Sequence, residues 1–156
     1  MPRITTFKGR PAVPGAVEGS AEVSHIGFNT CSTYVDVLIS GSDSGVCQDH
    51  DNKDLFGRDL ADKIVCIPQT IGSSSAATLF MIILEKGIAP KAMLFANHID
   101  SLAACGILMG DNWLGKRIVT VDLLGQEFLN TVQTGQTIRV HEDGTVEIDG
   151  CDHEQK

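Results

Sequence analysis

The residues best placed for chemistry are Gly72, Ser73, Ser74 and Ser75. They follow a short apolar run, Lys63 to Ile67, and precede the sequence AATLFMIILEK from Ala76 to Lys86. The start of a helix gathers free backbone N–H groups, and its dipole favours negative charge. Gly72 lets the backbone approach a ligand closely. A hydroxyl held in such a place can bind a carboxylate or phosphate, or carry negative charge transiently as an alkoxide. The same serines can also serve simply as helix caps. The loop has no Lys, so it is not a Walker A motif. It also lacks the spacing and second glycine of a GxSxG nucleophile elbow.

Other reactive side chains make weaker patterns. The five cysteines, Cys31, Cys47, Cys66, Cys105 and Cys151, include no CxxC pair. An odd number without a framework fits a reducing compartment and argues against a self-contained zinc or iron–sulfur site. Cys66 and Cys105 sit in apolar runs and read as core residues. Cys31 and Cys47 sit in polar, loop-like sequence, where one of them near a partner's active site is an option. None of the histidines has ligand spacing such as HExxH. Asp49-His50-Asp51 reads as a solvated acidic loop. His98, which follows an apolar run and precedes a helix, is placed to line a cleft at a strand's carboxyl end.

The elements that must position these groups can be read from the apolar pattern. Residues 1–20 carry Gly9, Pro11, Pro14, Gly15 and Gly19 and read as an extended arm with turns. Ala21 to Ile26 and Tyr34 to Ile39 read as strands. Residues 41–57 form a long loop of the kind that tends to be functional or mobile. Then strands at Lys63 to Ile67, Ala92 to Ala96 and Ile118 to Val121 alternate with helices at Ala76 to Lys86 and Asp100 to Met109. A short helix at Leu123 to Asn130 and a hairpin, Thr137 to Val140 with Val146 to Ile148, complete the chain, and residues 150–156 read as a frayed tail. The expectation is one α/β domain over residues 1–156 with a β-rich flank and a mixed central sheet.

Composition excludes several roles. The chain has 156 residues, 42% hydrophobic and 21% charged, and a formal charge of −8. Twelve bases against twenty acids leave no basic patch for nucleic acid or an anionic membrane. No run approaches the roughly 20 apolar residues of a spanning helix, and the opening lacks the apolar stretch of a signal peptide, so the chain reads as cytoplasmic.

One ordered series of motifs is more specific. Lys8-Gly9-Arg10, then Gly15-Ala16-Val17-Glu18-Gly19-Ser20-Ala21, Leu55-Phe56-Gly57, the Gly72–Ser75 loop, and Gly87-Ile88-Ala89-Pro90-Lys91-Ala92 resemble the small subunit of the aconitase X family across residues 8–122. The resemblance implies a swivelling β/β/α domain that closes over the active site of a large subunit. It further implies dehydration of a small hydroxy acid, cis-3-hydroxy-L-proline or mevalonate 5-phosphate, with an iron or iron–sulfur centre bound by the large subunit and not by this chain. Ser73 would be the general base, with Gly72, Ser74, Ser75 and the loop N–H groups holding the substrate carboxylate. Family loops often place Lys or Arg before the Gly-Ser pair. Here those positions hold Gln69, Thr70 and Ile71, which favours the unphosphorylated hydroxyproline substrate. The family's F-W-G-G-V-D-P stretch is replaced around Tyr34 to Asp43. A non-catalytic, anion-binding swivel module is the competing reading. A phosphohistidine carrier would need a loop histidine that is missing. The resemblance also leads us to expect an exposed apolar residue near the serine loop, with Trp113 as the candidate.

Overall fold

The computed structural model describes residues 3–150, and its elements follow from the alternation of apolar side chains. Strands β1 (Ile4–Lys8), β2 (Arg10–Val13), β3 (Val17–Val23) and β4 (Phe28–Asn29) lead into helices α1 (Thr30–Thr33) and α2 (Val35–Ser40). After a long connection come β5 (Ile64–Ile67), β6 (Thr70–Ile71), α3 (Ala76–Glu85), β7 (Ala92–Phe95) and α4 (Ser101–Met109). A π-helical turn at Gly110–Leu114 precedes β8 (Val119–Asp122), α5 (Gln126–Thr131), β9 (Thr137–Val140) and β10 (Thr145–Asp149).

Eight strands form one mixed sheet in the order β1-β10-β9-β3-β5-β7-β8-β2. The centre, β3-β5-β7-β8, is parallel, and the flanks pair antiparallel. Its two edges, β1 and β2, are consecutive in sequence and separated by Gly9 alone, so the arm that crosses from one edge to the other curls the sheet toward closure. Gly9 is required at this crossing, because a Cβ there would lie 2.6 Å from both the Asp122 carbonyl oxygen and Val121 Cγ1. The extended arm with turns expected in the first 20 residues is thus built into the sheet as β1, β2 and the start of β3.

β5 and β7 are buried along their whole length, as apolar runs covered on both faces must be. Alternation divides them between two cores. Ile64, Cys66, Ala92 and Leu94 point into the curled sheet with Phe128, Ile138 and Ile148. Val65, Ile67, Met93 and Phe95 point outward to Leu79, Phe80, Ile83 and Ile107 of the helical layer. There α3 lies so close to α4 that a Cβ on Gly106 would stand 2.6 Å from the Ala77 carbonyl oxygen.

The strand expected at Tyr34 to Ile39 is instead helix α2, Val35–Ser40, with Tyr34 flanking its start. Its β-forming residues are overruled because Tyr34 and Val37, three residues apart, are both buried, and Gly41 in the left-handed region (φ 69°) ends the helix. Residues 41–57 are the long irregular loop expected, and neighbouring contacts pin it to the core. Cys47, Leu55 and Leu60 are fully buried, Cys47 N–H donates to Arg58 O, and Arg58 pairs with the buried carboxylate of Glu22. The strand expected at Ala21 to Ile26 begins earlier, at Val17, and ends at Val23. The expected C-terminal tail begins at Gly150, whose N–H donates to Arg3 O. Residues 151–156 lie outside the described residues. Among the described residues no helix is long and apolar enough to cross a membrane.

Candidate functional site

The carboxyl ends of β5, β7 and β8 share one rim, and the Gly72–Ser75 loop lies on it between β6 and α3. Gly72 has φ +105°, a conformation that L side chains rarely adopt. Ser73, Ser74 and Ser75 are exposed. Ser73 borders a cleft of about 110 Å³ whose other walls are Thr70, Ile71, Gly72, Ala76, Asp100 and Leu102.

Three helices begin beside this loop, and their caps differ. Asn29 Oδ1 accepts from Ser32 N–H at 3.1 Å and caps α1. Asp100 Oδ2 accepts from Leu102 and Ala103 N–H and caps α4. The residue before α3, Ser75, is already helical (φ −65°, ψ −13°) and makes no side-chain cap. The serines are therefore not ordinary caps of α3. The N–H groups of Ser74, Ala77 and Thr78 find no acceptor among the described residues, which leaves the positive end of α3 open at the surface.

Ser73 Oγ accepts from Ser75 N–H at 3.2 Å, and its own hydroxyl donates to Ser75 Oγ at 3.3 Å. Negative charge on Ser73 would be met by one N–H directly and by the helix dipole. Such a dipole contributes about 0.3–1 kcal/mol when exposed and up to about 2 when partly buried. At roughly 1.4 kcal/mol per pK unit this lowers the hydroxyl by one unit or so. Further stabilisation has to come from whatever covers the rim. Because Ser75 N–H points at Ser73 Oγ, the outward-facing donors at this loop are the Ser74, Ala77 and Thr78 amides and the serine hydroxyls.

The structure thus brings Gly72, Ser73, Ser74 and Ser75 together on one open loop. It adds Asn29, Thr70 and Asp100, which the sequence reading missed. Asp100 stands in the sequence only as the first residue of an expected helix, and its pairing with Thr70 carries no local sequence signal. His98 lies on the same rim but outside the cleft. Its Nδ1–H donates to Ile99 O at 2.5 Å, and its Nε2 accepts from Arg10 at 3.2 Å. Arg10 in turn grips the fully buried carboxylate of Asp122, at 2.8 Å from Nε and 2.6 Å from Nη2. Burial works to raise the Asp122 carboxyl. The hydrogen bonds from Arg10 and from Ile99 N–H, with the charge of Arg10, outweigh it and hold the group below the usual carboxylate range.

Trp113 is exposed (71%), but it lies in the turn after α4, at the opposite end of that helix from the cleft. The apolar side chains beside the serine loop are instead Ile71 and Leu102. Nor do the cysteines converge here. Cys47 and Cys66 are buried, Cys31 is half-buried against the helical core, and Cys105 is exposed rather than in the core. Burial pushes the Cys47 and Cys66 thiols up. His50 stacks on Phe56, with ring centroids 4.3 Å apart. The cleft is lined by neither Cys nor His, so its residues do not fit an iron or iron–sulfur centre as ligands.

Comparison with known proteins gives this rim a context. A family model described as the aconitase X swivel domain matches residues 6–148. The chain is similar to the phosphomevalonate dehydratase small subunit of Aeropyrum pernix, 29% identical over 147 residues that cover 94% of this chain and 96% of that one. It is also similar to the cis-3-hydroxy-L-proline dehydratase of Hypocrea jecorina, 27% identical over 164 residues, which cover 94% of this chain but 26% of that protein. Among solved structures, the holo-form of Thermococcus kodakaraensis aconitase X superposes with a TM-score of 0.77 at 25% identity, covering 92% of this chain and 98% of that chain.

Proposed function

Because the chain belongs to the aconitase X swivel-domain family, we propose that it is the small subunit of a two-subunit hydro-lyase and acts as one swivel domain that closes on a large subunit. The observation that carries this reading is the position of Ser73. It is exposed at the uncapped start of α3, with its oxygen already accepting a backbone N–H. The reaction is dehydration of a small hydroxy acid. Ser73, as the alkoxide, takes the proton beside the substrate carboxylate, a carbon–carbon double bond forms, and the hydroxyl leaves as hydroxide, which with the proton now on Ser73 makes up the water eliminated; an iron centre on the large subunit would supply Lewis-acid help to that leaving group. Gly72 admits the substrate close to the backbone. Ser74, Ser75 and the free amides at the start of α3 hold the carboxylate. The iron or iron–sulfur centre is assigned to the large subunit, since the cleft of this chain offers it no ligands. On this reading the chain is inactive alone.

The substrate we favour is cis-3-hydroxy-L-proline. No cation lines the cleft, and a phosphate buried there would demand one. The similarity to the phosphomevalonate dehydratase small subunit of Aeropyrum pernix favours mevalonate 5-phosphate as the second reading. Kinetics of the chain co-purified with its large subunit, on both substrates, separates the two. Ser73→Ala should leave the complex assembled and lower kcat by 10²–10⁴-fold, the usual weight of a general base. Retention of activity within about tenfold would remove Ser73 from that role and leave the anion-binding module as the reading.

A further inference from the structure

The carboxamide of Asn29 lies flat against the serine loop. β4 pairs in parallel with β6, placing Asn29 opposite Ile71. A Cβ built on Gly72 would stand 2.8 Å from Asn29 Oδ1, 2.9 Å from Cγ and 3.0 Å from Nδ2. The residue after that glycine is Ser73. Asn29 Oδ1 is taken by Ser32 N–H, which fixes which end of the amide is which. Nδ2 then finds no acceptor among the described residues.

Capping alone does not explain an amide here. Asp caps a helix as well as Asn, and the neighbouring helix α4 is capped by Asp100. The two positions differ in their neighbours: the Asp100 carboxylate is met by Thr70, whereas the Asn29 side chain is pressed onto the backbone that carries Ser73. A carboxylate there would oppose negative charge on Ser73, while an amide presents only donors to the loop from its free end.

We propose that Asn29 is a positioning residue for Ser73, holding the Gly72 turn by contact and keeping the surroundings of the hydroxyl free of anionic charge. The inference rests on Ser73 being the base. Its test is the near-isosteric Asn29→Asp substitution in the complex with the large subunit. A purely structural role predicts no change, because shape and cap are kept. The proposal predicts a fall in kcat of about tenfold, the weight of about one pK unit on the base. KM should stay within about threefold. The limb on which activity rises with pH should move up by about one unit. An unchanged kcat and pH profile would overturn it. If Asn29→Asp does not assemble, Asn29→Ser keeps the cap without the amide. A kcat lowered at near-wild-type Tm then supports the proposal, and wild-type kinetics overturns it. Ser73→Ala, measured alongside, separates the two ideas. An active Ser73→Ala complex sinks the base assignment, whereas an inactive one beside a normal Asn29→Asp complex sinks only the role of Asn29.

Discussion

Thr70 Oγ1 donates to Asp100 Oδ1 across thirty residues of sequence, while the other oxygen of Asp100 caps α4. One carboxylate thus joins the strand before the serine loop to the helix on the far side of the cleft. The cleft's width depends on this bond, because Thr70 and Asp100 are both among its walls.

The two duties of Asp100 can be separated. Thr70→Val removes the tie and keeps the cap, so it should cost about 1 kcal/mol in thermal unfolding. Asp100→Ala removes both and should cost about 2 kcal/mol, the second part being the lost cap. In the complex with the large subunit both should raise KM, because both loosen the same wall. Equal unfolding temperatures for the two variants would contradict the separation.

Acid sensitivity should trace to Asp122. Its folded-state carboxyl is held below the usual range against the opposing effect of burial, chiefly by Arg10. The stability this supplies is fully present above the unfolded carboxyl value of about 3.9 and is lost as pH falls through the lower folded value. Arg10→Ala leaves the buried carboxylate with Ile99 N–H and His98 as neighbours. It should cost about 2–3 kcal/mol at neutral pH, which corresponds to a Tm lower by roughly 5–10 °C. Unfolding monitored by circular dichroism from pH 7 to 2 should show the stability gap between wild type and this variant narrowing as pH falls through the carboxyl range, because the variant has already lost at neutral pH what acid takes from the wild type. A gap unchanged across that range would remove Asp122 from the account.

Thiol labelling reports on the two cores. With a water-soluble alkylating reagent under native conditions, Cys105 should label first of the four cysteines among the described residues, since it is exposed. Cys31 is half-buried and should follow slowly, while Cys47 and Cys66 should stay unlabelled until the chain unfolds, because a buried thiol resists forming the reactive thiolate. Peptide mass spectrometry at timed quenches resolves the four. Early labelling of Cys47 would mean that the 41–57 segment opens readily instead of being pinned.

The alternation of KIVCI, AATLFMIILEK and AMLFA, with Ser and Gly at the helix ends, determined the β5-α3-β7-α4 unit by itself, because period, length and caps all agree locally there. It also placed the Gly72–Ser75 loop at a helix start, where a hydroxyl meets a dipole. At Tyr34 to Ile39 local preference pointed to a strand, and packing of Tyr34 and Val37 decided for a helix. Only the tertiary structure could show that β1 and β2 close opposite edges of one sheet through Gly9, since pairing partners more than a hundred residues away leave no mark on the local pattern. The same holds for Asn29, Thr70 and Asp100. Each looks like an ordinary polar residue in sequence, and each acquires its role from strand pairing and helix packing that bring three chain segments to a single serine.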